Sequence, residues 1–331
     1  MSVMSAVVND FMVQQLLVRK RRLEHAASES VHSARLHSLL DEVDAALARV
    51  DAGTYGICEI CHDPVESDRL IADPLVRFCL DHLSREERDA LERDLQLAAQ
   101  VQRGLLPSRD LTCRGWHISY HYEPAGIVSG DYCDVVDAGE RGLYFMVGDV
   151  SGKGVAASML MAHLHAMFRA LVSVEMSLKC MLEHASRVFS ESTLPTHYAT
   201  LVCGRALDGG QIEICNAGHP HPLVARNGRV TPLESSNLPV GMFGNEEFSV
   251  DELTLEPGHH MLIYSDGVSE ATDDLGNEYG SDRLCELIAA ARSGAPSSLV
   301  AACRDDLKSF RGEQRADDVT MFVLGRSPRP C

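Results

Sequence analysis

Positive charge is scarce in this chain: 30 Lys and Arg stand against 48 Asp and Glu, a net charge of −18 over 331 residues. Phosphate backbones and anionic lipid surfaces reward basic proteins, so neither direct nucleic-acid binding nor membrane binding is expected. The run Arg19, Lys20, Arg21, Arg22 is the local exception and reads as a solvated helix face. No uninterrupted apolar run reaches the roughly 18 residues of a spanning helix, and no charged n-region with a cleavage site follows Met1, so the expected location is the cytoplasm. The eleven cysteines are odd in number, which disfavours a disulfide framework; three cluster and eight stand singly. The glycine-rich stretch GDVSGKG (148–154) is not a nucleotide P-loop. That pattern needs Gly where Val147 stands and a hydroxyl where Gly154 stands. What remains is a carboxylate, Asp149, at the end of an apolar run, a better place for a metal than for a nucleotide.

Residues 10–50 contain neither Gly nor Pro, and Leu36, Leu39, Leu40, Val43, Leu47 and Val50 recur at helical spacing. One long amphipathic helix of coiled-coil character is expected there, ending at Gly53 and Gly56. Ser84 with Glu87 three residues on has capping-box spacing and opens a second helix. Leu91, Leu95, Ala98 and Leu105 continue a heptad in it, Gln102 fills the remaining seam position, and Pro107 closes it. Beyond about residue 115 the texture changes to short strands broken by turns, among them WHISYHYEP, GLYFMVGDV, GQIEICNAG and DVTMFVLG. Helices are expected near 154–173, 176–192, 280–292 and 296–310. Helices set apart from hairpin-linked strands point to an α+β fold. The expected organisation is a long helix (1–53), a small finger (54–83), a linker helix (84–107) and a catalytic-type domain (108–327).

Within the finger, Cys58-x2-Cys61, seventeen intervening residues and Cys79-x2-His82 place two pairs of soft ligands on two tight knuckles. Three thiolates and an imidazole close a tetrahedron around one zinc ion with no open position, a structural rather than catalytic site. The surrounding run DAGTYGICEICHDPVESDRLIADPLVRFC resembles the zinc finger of the DksA/TraR family. That resemblance implies RNA polymerase as a partner.

The second half carries aspartates beside glycines at strand ends four times: Asp131 and Asp134 in SGDYCD, Asp149 in GDVSGKG, Asp266 in YSDGVSEA, and Asp317 with Asp318 in ADDVT. Singly such pairs are usually turns. Together they are the donor set that a hard cation such as magnesium or manganese requires. The motifs LAAQVQRGLLP, EPAGIVSGDYCDVV, VGDVSGKGVAASMLMA, ATLVCG, NAGHPHPLV, LPVGMF, LIYSDGVSEATDDLGNEYGSDRL and DDVTMFVL, in this order, resemble the SpoIIE/RsbU-type branch of the PPM metal-dependent serine/threonine phosphatases. The resemblance implies two stacked antiparallel sheets flanked by helices, with two Mn2+ or Mg2+ ions in a cleft at one end. It also implies that Asp149 bridges the ions with the Val150 carbonyl as an extra ligand, that Asp266, Asp317 and Asp131 complete the set, and that Asp134 and Asp318 support it. Lys153 is a candidate phosphate contact, and Asn216 with His219 resemble a family turn. Ser129 and Lys153 depart from the Gly and His that the family favours. The implied substrate is a phosphorylated anti-anti-sigma (STAS) protein in a partner-switching pathway. The heptads flanking the finger imply a homodimer, with the finger as sensor or assembly module. The rival reading is a non-catalytic transcription adaptor, its finger on RNA polymerase and its second domain holding a phosphoprotein.

Overall fold

The computed structural model describes residues 13–25, 34–66, 69–70, 73–82, 85–194, 196–234, 237–244, 246–290, 294–312 and 316–327. They form two compact units, Met1–Asp94 and Leu95–Cys331.

In the first unit the single helix expected over residues 10–50 is two helices, α1 (residues 13–25) and α2 (Ala34–Asp51). Lys20 Nζ lies 2.6 Å from Asp44 Oδ1. In one continuous helix these residues would stand about 36 Å apart. The helices therefore lie side by side. Leu16 on α1 is buried in one cluster with Val43 and Ala46 on α2, and Leu23, Leu47 and Val50 pack against it. Each helix has too narrow an apolar stripe to be stable alone, and pairing buries both. Gly53 and Gly56, both at positive φ, turn the chain from α2 into the finger. The proposed cap Ser84 lies outside the described residues. The helix it would open, α3 (Arg85–Leu105), continues into the second unit.

The second unit is α+β, as expected. One antiparallel sheet has the order β1-β2-β11-β10-β7-β8 and the other β3-β4-β5-β6-β9. Their strands are β1 (Asp110–Cys113), β2 (Trp116–Glu123), β3 (Asp131–Asp137), β4 (Leu143–Val150), β5 (Ala199–Ala206), β6 (Gln211–Ala217), β7 (Leu223–Arg226), β8 (Arg229–Pro232), β9 (Asp251–Thr254), β10 (His260–Tyr264) and β11 (Val319–Arg326). Strand alternation divides the core into three layers. Ile118, Phe145, Val147, Ile263 and Phe322 meet between the sheets. Tyr132, Met146 and Val150 face outward from the second sheet and pack on α4 (Gly154–Val172) and α5 (Leu178–Ser192). Leu262, Met321 and Val323 face outward from the first sheet and pack on α7 (Ser281–Ala290) and α8 (Pro296–Arg311). Between β10 and α7 lies the short helix α6 (Asp266–Ser269). The stack is helix, sheet, sheet, helix.

Among the described residues α4 is long and apolar enough to cross a membrane, by length and composition only. Its sequence carries His163, His165 and Arg169, and its buried face, Met161, Leu164 and Phe168, is part of the protein core.

Candidate metal centres

Antiparallel pairing sets Asp131 at the start of β3 directly opposite Asp149 near the end of β4. Parity then aims both into the gap between the sheets, because Asp131 alternates in step with Cys133 and Val135, and Asp149 with Phe145 and Val147. The other sheet delivers its carboxylates to the same cleft. β10 and β11 pair through Tyr264 and Met321, so Asp266 just beyond β10 and Asp317 and Asp318 just before β11 share one end of that sheet. Thr320, in step with Phe322, points across the gap and donates its hydroxyl to Asp131 Oδ2. The Ser265 hydroxyl accepts from the Thr320 N–H at 2.9 Å and donates to the Asp318 carbonyl at 3.3 Å, tying these two residues together.

Close backbone approach is built in. A Cβ placed on Gly130 would stand 3.0 Å from Asp149 Oδ1 and 3.1 Å from the Val150 carbonyl oxygen. A side chain there would crowd both groups, and glycine avoids it. Asp318 serves the same loop: its two oxygens accept from the N–H groups of Ala125 at 2.7 Å and Gly130 at 2.9 Å. It supports the cleft through backbone rather than by joining the other carboxylates.

The electrostatics follow from the crowding. Burial first, then the neighbouring Asp266, Asp317 and Asp318, push Asp149 up to about 7. Burial and then Asp149 raise Asp131, and burial and then Asp317 raise Asp266. Like charges held this close are tolerated where cations join them. The hard oxygen donors, with the Val150 carbonyl beside Asp149 at Gly130, fit magnesium or manganese. Among the described residues the only group gathered tightly enough around one point is Cys58, Cys61, Cys79 and His82, whose ligand atoms lie within 4.8 Å of one another.

Asp134 is not part of this cleft. Three residues beyond Asp131 on the same strand, it faces the opposite side and is fully buried against α4. Arg169 grips both its oxygens at 2.6 and 2.7 Å, and His165 Nε2 stands 3.5 Å away. The expected support for the metal ligands is a strut between helix and sheet. Lys153 Nζ donates to Asp317 Oδ2 at 2.9 Å and to the Ala316 carbonyl at 3.0 Å. It stands at the rim of the acidic cluster. Asn216 and His219 form the expected turn, exchanging hydrogen bonds at 2.8 and 2.9 Å, while His219 Nδ1 meets Thr200 Oγ1 at 2.9 Å.

Two contributors were not marked as functional by their sequence context. Gln102, near the end of α3 and 6 % exposed, holds the loop before Asp131 through Ser129. A glutamine in an apolar heptad seam is its only sequence signal. Thr320 carries none beyond its place after Asp318.

In the finger, Cys61 and Cys79 sulfurs are 3.7 Å apart, and Cys79 Sγ is 3.2 Å from His82 Nδ1. Desolvation pushes the Cys58 thiol up, but N–H groups from Cys61, Cys79 and Ile60 outweigh it and bring it to about 6. A thiolate is thus ready for a soft cation.

The family model for stage II sporulation protein E (SpoIIE) matches residues 139–327, more than half of the chain. The chain belongs to the SpoIIE family. The model for the prokaryotic dksA/traR C4-type zinc finger matches residues 53–88, with His82 standing where a fourth cysteine would complete a C4 set. Among curated proteins, IcfG of Synechocystis is 28 % identical over 279 residues, covering 74 % of this chain and 43 % of IcfG. Phosphoserine phosphatase RsbU of Bacillus subtilis is 25 % identical, covering 71 % of each chain. The SpoIIE-family chain thus spans less than half of IcfG but most of RsbU. Of solved structures, the RsbU and RsbW domains of Rv1364c from Mycobacterium tuberculosis superpose with a TM-score of 0.58 at 27 % identity, over 65 % of this chain and 61 % of that one. The PP2C phosphatase domain of SpoIIE from Bacillus subtilis, in a structure that superposes with a TM-score of 0.58 at 19 % identity over 63 % of each chain, shares the fold of the two stacked sheets.

Proposed function

We propose that this SpoIIE-family chain is a metal-dependent protein serine/threonine phosphatase. One observation carries the reading: Asp131 and Asp149 from one sheet and Asp266 and Asp317 from the other converge on a single cleft, with the Val150 carbonyl beside Asp149 at Gly130. Those four carboxylates and that carbonyl would hold two manganese or magnesium ions. Such a pair, when bound, acidifies a shared water and offsets charge on phosphoryl oxygens. The chain's own part is positioning. Thr320, itself held by Ser265, fixes the rotamer of Asp131, Asp318 fixes the loop carrying Gly130, and the Lys153 ammonium stands ready to donate to a phosphoryl oxygen at the rim. Cys58, Cys61, Cys79 and His82 would hold one structural zinc.

The substrate we infer is a phosphoserine on an anti-anti-sigma (STAS) protein in a partner-switching pathway in the cytoplasm, by similarity to the phosphoserine phosphatase RsbU. The exposed Leu91, Leu97 and Val101 on α3 support a homodimer through this helix, with the finger as its assembly or sensing module. The test is release of phosphate from a phosphoserine STAS protein by the full chain in manganese, against Asp149→Asn. Manganese-dependent release lost in the variant supports the reading; no release from either protein removes it.

A further inference from the structure

The end of the first sheet away from the acidic cleft carries a cavity of about 560 Å³, within the range of ordinary small-molecule sites. β10 runs from His260 at this end to Tyr264, next to Asp266, at the other. The apolar wall of the cavity is Ala225 on β7, Ile288 on α7 and Leu299 in the first turn of α8, all part of the layer packed between this sheet and its helices. His259, Ser298 and Asn227 line the same space with polar side chains.

His259 is only 7 % exposed, and the turn before β10 holds its ring in one tautomer. The His259 N–H donates to the Glu256 carbonyl at 2.9 Å, and the Glu256 N–H donates to His259 Nδ1 at 3.2 Å. A neutral imidazole that accepts at Nδ1 carries its proton at Nε2. That N–H meets no acceptor among the described residues. Unlike Nε2 of His219 it is not sealed from solvent, and the space that His259 lines is the cavity. A donor held this deep costs roughly 1–3 kcal/mol unless water or a ligand completes its bond. Helix α8 adds a second feature. It runs for 16 residues, no side chain caps its N-terminus at Ala295, and Ser298 in its first turn brings the positive end of the helix dipole to the cavity wall. In a chain of net charge −18, the described lining residues include no carboxylate, and no lysine or arginine either. Neutral donors at a helix N-terminus suit a singly charged anion, whereas a phosphate dianion calls for cationic partners.

We infer that this cavity binds a small organic carboxylate, its apolar body against Ala225, Ile288 and Leu299 and its oxygens on His259 Nε2–H and the Ser298 hydroxyl, with the Asn227 amide in the same space. The inference is independent of the phosphatase reading.

The experiment is calorimetric titration of the full chain with 2-naphthoate as the probe and 2-naphthamide as its uncharged counterpart. Manganese and magnesium are left out, so that the acidic cleft offers the probe no cation. One 2-naphthoate should bind per chain, and 2-naphthamide about tenfold more weakly, because hydrogen bonds to an ionised acceptor are the stronger kind. His259→Asn keeps an acceptor for the Glu256 N–H but loses the Nε2 donor, and should weaken 2-naphthoate about tenfold. His259→Gln, whose amide reaches as far as Nε2, should recover most of that loss. Ser298→Ala, at an exposed position, should weaken binding several-fold and decides the matter if His259→Asn does not fold. No saturable binding of 2-naphthoate, equal affinity in wild type and Ser298→Ala, or an amide bound as tightly as the acid overturns the site.

Discussion

Gln102 on α3 and Ser129 ahead of β3 exchange two hydrogen bonds, Gln102 Nε2 to the Ser129 carbonyl at 2.6 Å and the Ser129 N–H to Gln102 Oε1 at 3.0 Å. Ser129 Oγ in turn accepts from the Asp131 N–H at 3.0 Å, and the next residue, Gly130, is the one that Asp318 holds. A side chain of α3 thus fixes the backbone from which Asp131 is presented and whose Gly130 carbonyl accepts from the Val150 N–H.

Gln102→Ala leaves two buried backbone groups of Ser129 without partners, each at a cost of roughly 1–3 kcal/mol. The loop should shift before the fold fails. We expect manganese affinity in the cleft to fall by about tenfold or more while the circular dichroism of the folded chain is kept. Gln102→Glu, which keeps the acceptor and loses the donor, should fall between. Unchanged manganese affinity in Gln102→Ala would show that the loop is held without α3.

The acidic cleft makes the metal-free chain sensitive to pH in a defined direction. Asp149 is held near 7 in the fold against an ordinary value of 3.8, so between about pH 4 and 7 the folded chain holds a proton that the unfolded chain has released. Stability from this group therefore falls as pH rises through that window, by on the order of 4 kcal/mol across it. Asp131, raised by burial and by Asp149, acts in the same direction. In metal-free buffer the melting temperature of Asp149→Asn should gain on wild type steadily from pH 4 to pH 7 and level off above, and manganese, which the variant holds less well, should reverse the gap. A gap that does not change with pH contradicts the crowding.

Asp134 provides the contrast. Its carboxylate is buried on the helix side of β3 while the Arg169 guanidinium that grips it is half-exposed, so losing the charge strands no buried cation and costs on the order of 1–3 kcal/mol rather than the full cost of a pair buried on both sides. Asp134→Asn should lower the melting temperature by several degrees and leave manganese affinity at the cleft as it was. A selective loss of metal with stability intact would return Asp134 to the metal site.

For the finger, we expect one zinc per chain to survive dialysis, to be lost in Cys58→Ser, and to be retained in His82→Cys, since thiolate and imidazole are interchangeable in closed tetrahedral sites. Atomic absorption on the purified proteins decides it. Zinc retained by Cys58→Ser would remove Cys58 from the ligand set.

Much of this was legible in the sequence because alternation and spacing are local. The strands containing Tyr120, Phe145, Ile214 and Phe322 show a two-residue period or a continuous apolar run, and the finger's ligands lie in two short knuckles. At β3 only a strand end was legible, because Asp131, Asp134 and Asp137 break its apolar pattern, and β1, β8 and β9 escaped because four-residue edge strands leave too short a period to detect. The side-by-side packing of α1 and α2 was hidden by the lack of Gly or Pro between residues 10 and 50, the usual marks of a break. Asp134 was grouped with Asp131 by closeness in sequence, whereas an odd offset on a strand means opposite faces. Gln102 and Ser129 lie 27 residues apart, and nothing local joins them.

The most direct test follows bound manganese and phosphate release in one titration, using the zinc-loaded full chain and an aryl phosphate. The account predicts that activity appears only as the second manganese per chain binds, and that Asp149→Asn and Asp266→Asn lose both the paired binding and the activity. Full activity with no added divalent ion, or two ions bound by Asp149→Asn as tightly as by wild type, would contradict a dinuclear centre built on these aspartates.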